Sequence, residues 1–145
     1  MTVGAVLKSK ESTGVVSVKP ATTILEIAEI ISSRRIGAVL VLDDTGGVAG
    51  IVSERDVVRA LAANREAALS MRADDLMTRN VTTATPGTTV VEAMGIMDHG
   101  YFRHLPVVND GKLEGIISIR DLVKFRIMLH EQDLENMKAY IARMV

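Results

Sequence analysis

The chain of 145 residues has no cysteine and no tryptophan, and only two tyrosines, two phenylalanines, three prolines and three histidines. Without cysteine there is no disulfide framework, thiolate nucleophile, iron–sulfur cluster or Cys-based zinc site. His99, His104 and His130 leave little material for a metal cage. Charge of one sign is also lacking, because 17 basic residues balance 18 acidic ones for a net charge of −1, far from the basic field of a nucleic-acid binder. Apolar runs stop after a few residues, so no segment is expected to span a membrane, and Met1–Lys10 lacks the apolar block of a signal peptide. The expectation is a soluble cytoplasmic protein with no nucleic-acid or membrane partner. What is present is 48% hydrophobic residues, and with so few aromatics the core must be built from Val, Ile, Leu, Ala and Met. This length holds one compact domain, or two very small ones sharing a core.

The chain is one motif written twice. Val15–Asp44 aligns with Val81–Asp110, and Gly46–Leu61 with Gly111–Arg126, giving 15 identities in 46 pairs where chance gives roughly three. Within each copy, Ile24, Ile27, Ala28 and Ile31, or Val90, Ala93, Met94 and Met97, recur at helical spacing behind a proline and a pair of threonines suited to capping. Extended stretches Val15–Val18 and Val81–Ala84 precede them. Two apolar runs follow, Ala38–Leu42 and Val48–Val52, or Leu105–Val108 and Leu113–Ile117, joined by turns rich in Asp, Asn and Gly. Each repeat therefore reads β-α-β-β-α, and neither covers its own apolar surface alone. The expected class is α+β, with the two repeats packed about a pseudo-twofold axis. Residues 1–65 hold the first repeat and its lead-in, 66–128 the linker and second repeat, and 129–145 a C-terminal helix. Along that helix Val123, Ile127, His130, Leu134, Met137, Ile141 and Met144 keep a 4-3-4-3-4-3 spacing, which suits either a subunit seam or a helix lying on its own domain.

The strongest local signal is Gly50-Ile51-Val52-Ser53-Glu54-Arg55-Asp56, repeated as Gly115-Ile116-Ile117-Ser118-Ile119-Arg120-Asp121. Ser-x-x-Asp ahead of an apolar helix is a capping box. A cap has no use for the glycine, and an arginine in the first turn opposes the helix dipole. An anionic ligand explains both better: phosphate accepts a guanidinium fork, a serine hydroxyl and the helix-end N–H groups, while a carboxylate accepts the two hydroxyl protons of a ribose. Glycine would let a base lie against the strand. The seven residues describe a nucleoside phosphate.

With Phe102-Arg103-His104-Leu105-Pro106-Val107-Val108, the doubled motif and the β-α-β-β-α repeat, the sequence resembles a pair of cystathionine-β-synthase (CBS) domains over Lys8–Arg126, in the stand-alone bacterial form with a long C-terminal helix. That resemblance implies a regulatory, non-enzymatic module without a catalytic cofactor. Its clefts would bind adenosine nucleotides such as AMP, ADP or ATP, or NAD(H), and it would pair into a homodimer that acts on a regulated protein in trans. Carried onto this chain, Asp56 and Asp121 would hold ribose. Ser53, Arg55, Ser118, Arg120, Arg103 and His104 would face phosphate. Ile36, Gly37, Ala38, Tyr101, Phe102, Pro106 and Ile119 would line the pockets, with Lys8, Thr13, Gly14, Val15 and Val16 in one repeat and Thr78, Arg79, Asn80 and Val81 in the other. The repeats differ where Arg103 and His104 stand against Gly37 and Ala38, so unequal sites are expected. The rival reading is a docking or dimerisation module in which the Ser-x-Arg-Asp turns are caps only. Ser118, His104 and Asp121 do not make a hydrolase triad, since no strained nucleophile elbow is present, and Gly46–Gly50 precedes a strand, unlike a dinucleotide loop.

Overall fold

The computed structural model describes residues 1–10 and 15–144. Its elements run α1 (Val3–Ser9), β1 (Ser17–Val18), α2 (Ile24–Arg34), β2 (Ala38–Leu42), β3 (Val48–Ser53) and α3 (Glu54–Asn64). A 3-10 turn (Arg65–Ser70) follows, then α4 (Ala73–Leu76), α5 (Val90–Gly100), β4 (His104–Asn109), β5 (Lys112–Ser118) and α6 (Ile119–Met144). The α+β class is realised; the first repeat has the full β-α-β-β-α order, and the second keeps it without its first strand.

Local chemistry accounts for the boundaries. Thr23 accepts the Glu26 N–H while the Glu26 carboxylate takes the Thr23 N–H, a reciprocal cap that starts α2; Thr89 starts α5 by accepting the Glu92 N–H. Both helices end in a left-handed residue at the same repeat position, Arg35 (φ 52°) and Tyr101 (φ 57°). The β4–β5 hairpin turns on Asp110 (φ 50°) and Gly111 (φ 76°), the positive pair a tight two-residue turn requires.

The first strands are unequal. β1 runs parallel to β2, with the Leu40 N–H donating to Val16 O at 3.2 Å. In the second repeat the residue matching Leu40 is Pro106, which has no N–H to give, so Val81–Ala84 makes only the bridge between Ala84 and Val107. One proline thus reduces an expected strand to a single contact.

The core is not shared, as the sequence suggested, but divided into two apolar clusters. Ile24, Ile27, Val39, Val41 and Val52 centre the first; Val90, Leu105, Val107, Ile117 and Leu122 centre the second. Each fully buried Ile or Leu contributes about 1.5–3 kcal/mol. The segments before the repeats complete these clusters. Ala73 and Met77 of the linker join the first, whereas Val3 and Val6 of the lead-in join the second. Backbone bonds fix the same pairing: Val3 N–H to Thr88 O and Gly4 N–H to Pro86 O, and Ala73 N–H to Thr22 O and Asp74 N–H to Pro20 O. The lead-in therefore packs with the second repeat rather than with the first, which follows it in sequence.

Gly50 and Gly115 make this approach feasible. A Cβ on Gly50 would stand 2.7 Å from Met77 Cγ and 2.8 Å from Thr78 O, and one on Gly115 would stand 2.9 Å from Leu7 Cδ2. The glycines admit the preceding segments, not a base, which corrects the reading made from sequence. Helix α6 runs unbroken from Ile119 to Met144.

Gly50→Ala is expected to destabilise the protein by about 1–3 kcal/mol in urea unfolding, because beside the Met77 side chain it strikes the Thr78 carbonyl, which is backbone. Gly95→Ala, in helix α5 with open space at its Cβ, serves as the control and is expected to be stabilising by up to about 1 kcal/mol. Equal effects at the two positions would contradict the close-approach account.

Candidate functional site

The end of β3 and the start of α3 are joined by Ser53, whose side chain and backbone serve both the cap and the cleft. The Asp56 N–H donates to Ser53 Oγ at 3.2 Å, while the Ser53 N–H (2.9 Å) and hydroxyl (3.0 Å) both donate to Asp56 Oδ2. The capping box is therefore real, and all of its bonds to the carboxylate fall on one oxygen. Asp56 also lines a cleft of about 340 Å³ between the repeats, within the range of small-molecule sites.

Four pieces of chain converge on that cleft. Ile51, Ser53–Asp56 and Arg59 come from the first repeat together with Gly37; Thr78 and Asn80–Thr82 come from the linker and its continuation; Gly100–His104 come from the second repeat. Thr78 is held there by paired backbone bonds with Ile51, N–H to O at 3.0 Å and O from N–H at 3.1 Å. Gly37 is fixed by its carbonyl, which accepts the Glu54 N–H at the helix start. A Cβ on Gly37 would lie 2.9 Å from the His104 ring, so only glycine leaves room for that histidine.

Of the residues singled out from sequence, Ser53, Arg55, Asp56, Gly37, Thr78, Asn80, Val81, Tyr101, Phe102, Arg103 and His104 meet at this one cleft. The others fall elsewhere. Ser118 and Asp121 form the matching cap in the second repeat, with the Ser118 N–H donating to Asp121 Oδ2 at 2.8 Å. Arg120 and Lys8 are exposed. Arg79 is turned to the linker, donating to Asp74 O at 2.8 Å. Ala38 and Pro106 are buried in their strands, and the Pro106 carbonyl accepts the Ala84 N–H. Val16, Ile36 and Ile119 pack against the two cores and Val15 is half-buried. Thr13 and Gly14 lie outside the described residues.

Two cations escaped the sequence reading. Arg59 lines the cleft one helical turn beyond Arg55, and the i, i+4 spacing on α3 was the available signal. Lys10 has no counterpart by residue type in the other repeat. Its Nζ lies 3.0 Å from Asp121 Oδ2 and donates to Ile116 O at 2.9 Å.

The electrostatics follow from these contacts. Burial alone would raise the Asp121 pKa, but the Ser118 N–H and the Lys10 ammonium outweigh it and hold the carboxyl below its usual range. His104 sits opposite Ser118 in the β4–β5 ladder. Burial lowers its pKa, with Lys10 and Arg103 adding to the effect and Asp121 and Glu54 opposing it. Without a ligand the uncharged imidazole is therefore favoured at neutral pH. The Ser53 hydroxyl proton is similarly engaged by Asp56, which leaves Arg55, Arg59 and Arg103 to meet negative charge.

Two repeats each present a carboxylate at a helix start, with a cleft between them. The CBS domain family profile matches residues 4–63 and 73–127. The chain belongs to the CBS domain family, as a tandem pair. A 17.7 kDa protein from Acidianus ambivalens is 40% identical over 120 residues, which is 82% of this chain and 71% of that one; other curated relatives are longer, the chain covering 60% of one and 42% of another. Among solved structures, a CBS-domain protein from Agrobacterium tumefaciens superposes with a TM-score of 0.82 at 42% identity, over 86% of this chain and 92% of that one. The CBS pair of protein MJ0100, solved in complex with 5′-methylthioadenosine and S-adenosylmethionine, gives 0.76 at 26% identity, over 86% and 94% of the two chains. CBSX2 in complex with AMP gives 0.73 at 27%, over 89% and 98%.

His104 supplies a pH dependence. Because its folded pKa lies below the ordinary 6.5, the unfolded chain takes up a proton that the folded chain refuses, so this contribution is whole above 6.5 and is lost as pH falls below it. The urea midpoint is expected to drop between about pH 7.5 and about pH 5.5, and to drop less in His104→Gln. The same drop in both proteins would contradict the assignment.

Proposed function

We propose that this chain is a non-enzymatic regulatory module that takes an adenosine nucleotide of the AMP class into the Asp56 cleft and relays occupancy to a protein partner in trans. The carrying observation is the composition of that cleft: a carboxylate able to accept two ribose hydroxyls, with Arg55, Arg59 and Arg103 close enough to line the same space. The adenosine ligands held by the CBS pairs of MJ0100 and CBSX2 support the same class. With Tyr101 89% exposed, the base is gripped mainly by side chains and backbone from Ile51, Thr78, Asn80 and Val81, with Phe102 the one partly buried aromatic at the cleft. Longer ligands, ADP, ATP or NAD(H), extend from the same anchor toward the arginines. Because the lining comes from both repeats, a ligand that fits one arrangement of them more tightly shifts the population toward it, by no more than its differential affinity.

The module works as a homodimer joined through α6. Residues from His130 to Met144 are all exposed, and Leu134, Met137 and Ile141 are 48%, 61% and 55% accessible, so this part of the helix does not lie on its own domain. Ile127, Leu134 and Ile141 take one set of seam positions, and Val123, His130, Met137 and Met144 the other. Flanking charges select the orientation. In a parallel, in-register pair Arg126 meets Glu131 of the second copy and Asp133 meets Lys138, opposite signs in both cases. A β-branched residue at two of three a positions favours two strands.

Thermal unfolding with AMP tests the first claim. At about 100 times its dissociation constant AMP is expected to add about 2.7 kcal/mol of stability, and Asp56→Ala to weaken binding by roughly tenfold or more. No shift with any adenosine compound would favour the reading of the fold as a docking module with caps only. Light scattering tests the second: the parent chain is expected to be dimeric and Leu134→Glu/Ile141→Glu monomeric. Arg126→Glu is expected to loosen the dimer, and adding Glu131→Arg in the same chain to restore it. A dimer indifferent to these changes would place the contact elsewhere.

A further inference from the structure

The two caps are alike in sequence and unlike in surroundings. Pseudo-symmetry sets Leu7 on Gly115 where Met77 lies on Gly50, so that three residues further on Lys10 is the counterpart of Asn80 along the chain. Asn80 lines the open cleft beside Asp56. Lys10 instead spans Asp121 Oδ2 at 3.0 Å and Ile116 O at 2.9 Å.

The origin is local. In the first repeat the Ile51 carbonyl accepts the backbone N–H of Thr78, because α4 stops at Leu76 and the chain beyond it is extended. In the second repeat α1 continues to Ser9, and the matching carbonyl, Ile116 O, receives a side-chain ammonium. Both groups of the ion pair are partly shielded, with side-chain accessibilities of 25% and 22%. Lys10 thus meets the carboxylate that a ribose would need, and its position beside it is reinforced by a second acceptor. A neutral ribose has to displace a full positive charge and leave the Ile116 carbonyl to find another donor. Asp56 is in the opposite condition: among the described residues its cap bonds come only from Ser53, and no cation lies in ion-pair range.

We infer that Lys10 is an internal occupant of the Asp121 site, which makes this tandem module take one nucleotide per chain, at Asp56. The inference rests on the nucleotide reading of the Asp56 cleft and adds to it the residue that sets stoichiometry. Substituting Lys10 by the residue its counterpart carries would open the second site.

Calorimetric titration with AMP of the parent chain, Lys10→Asn, Asp56→Ala and Lys10→Asn/Asp56→Ala tests this, with Lys10→Gln as a second opening variant and unfolding curves to show that each protein is folded. The expected stoichiometries are one per chain, two, none within the measurable range, and one. In Lys10→Asn/Asp121→Asn the count is expected to return to one. Two sites in the parent chain, with one lost in Lys10→Asn, would make Lys10 a phosphate ligand and overturn the inference. So would a count of one in both folded Lys10 variants. Absence of binding in every protein would overturn the nucleotide reading itself, a different outcome from either of those.

Discussion

The constraint on which the structure depends is that neither repeat closes its own core, so each must accept a foreign segment against a strand. Two glycines make the contact close: Met77 and Thr78 lie over Gly50, and Leu7 lies over Gly115. What the repeats bury, where the linker runs and which residues reach the clefts all follow. Once Thr78 is bonded to Ile51, Asn80, Val81 and Thr82 are led along the cleft beside Asp56. The lead-in obeys the same rule with a longer helix and delivers a lysine in place of an asparagine. A difference in helix length, before either repeat begins, separates the chemistry of two otherwise matched carboxylates.

Capping and ligand binding are compatible here because a carboxylate has two oxygens. Asp56 uses Oδ2 to satisfy a helix start that would otherwise expose N–H groups. Its geometry is thereby set before any ligand arrives, which lowers the ordering cost of binding. Arg55, Arg59 and Arg103 are exposed, and the helix dipole is adverse at Arg55. His104, neutral and wedged against Gly37, contributes packing and hydrogen-bonding capacity between the two caps rather than charge.

Much of this was legible in the residues. The periodicities of Ile24–Ile31 and Val90–Met97, the Asp110-Gly111 turn and the Ser-x-x-Asp boxes encode local geometry, and they gave the elements and both carboxylates. Properties set by distant partners were not legible. The packing of Met77 on Gly50 joins residues 27 positions apart in sequence, so no local pattern signals it. The loss of the first strand in the second repeat depends on which hydrogen bond Pro106 would have donated, which requires the register. Lys10 sits just ahead of a stretch that has no equivalent in the second repeat, so alignment of the repeats passes over it. The seam on α6 was visible as spacing, but only its exposure shows that it is not covered by its own domain.

The central claim is that ligand enters at Asp56 and not at Asp121. Amide chemical shifts recorded while AMP is titrated into the labelled protein test it most directly. The account predicts saturable shifts concentrated at Gly37, Thr78–Thr82 and Gly100–Arg103, with the amides of Lys10 and Ser118–Asp121 moving little. Equal shifts around both carboxylates, or saturable shifts confined to Lys10 and Ser118–Asp121, would contradict it.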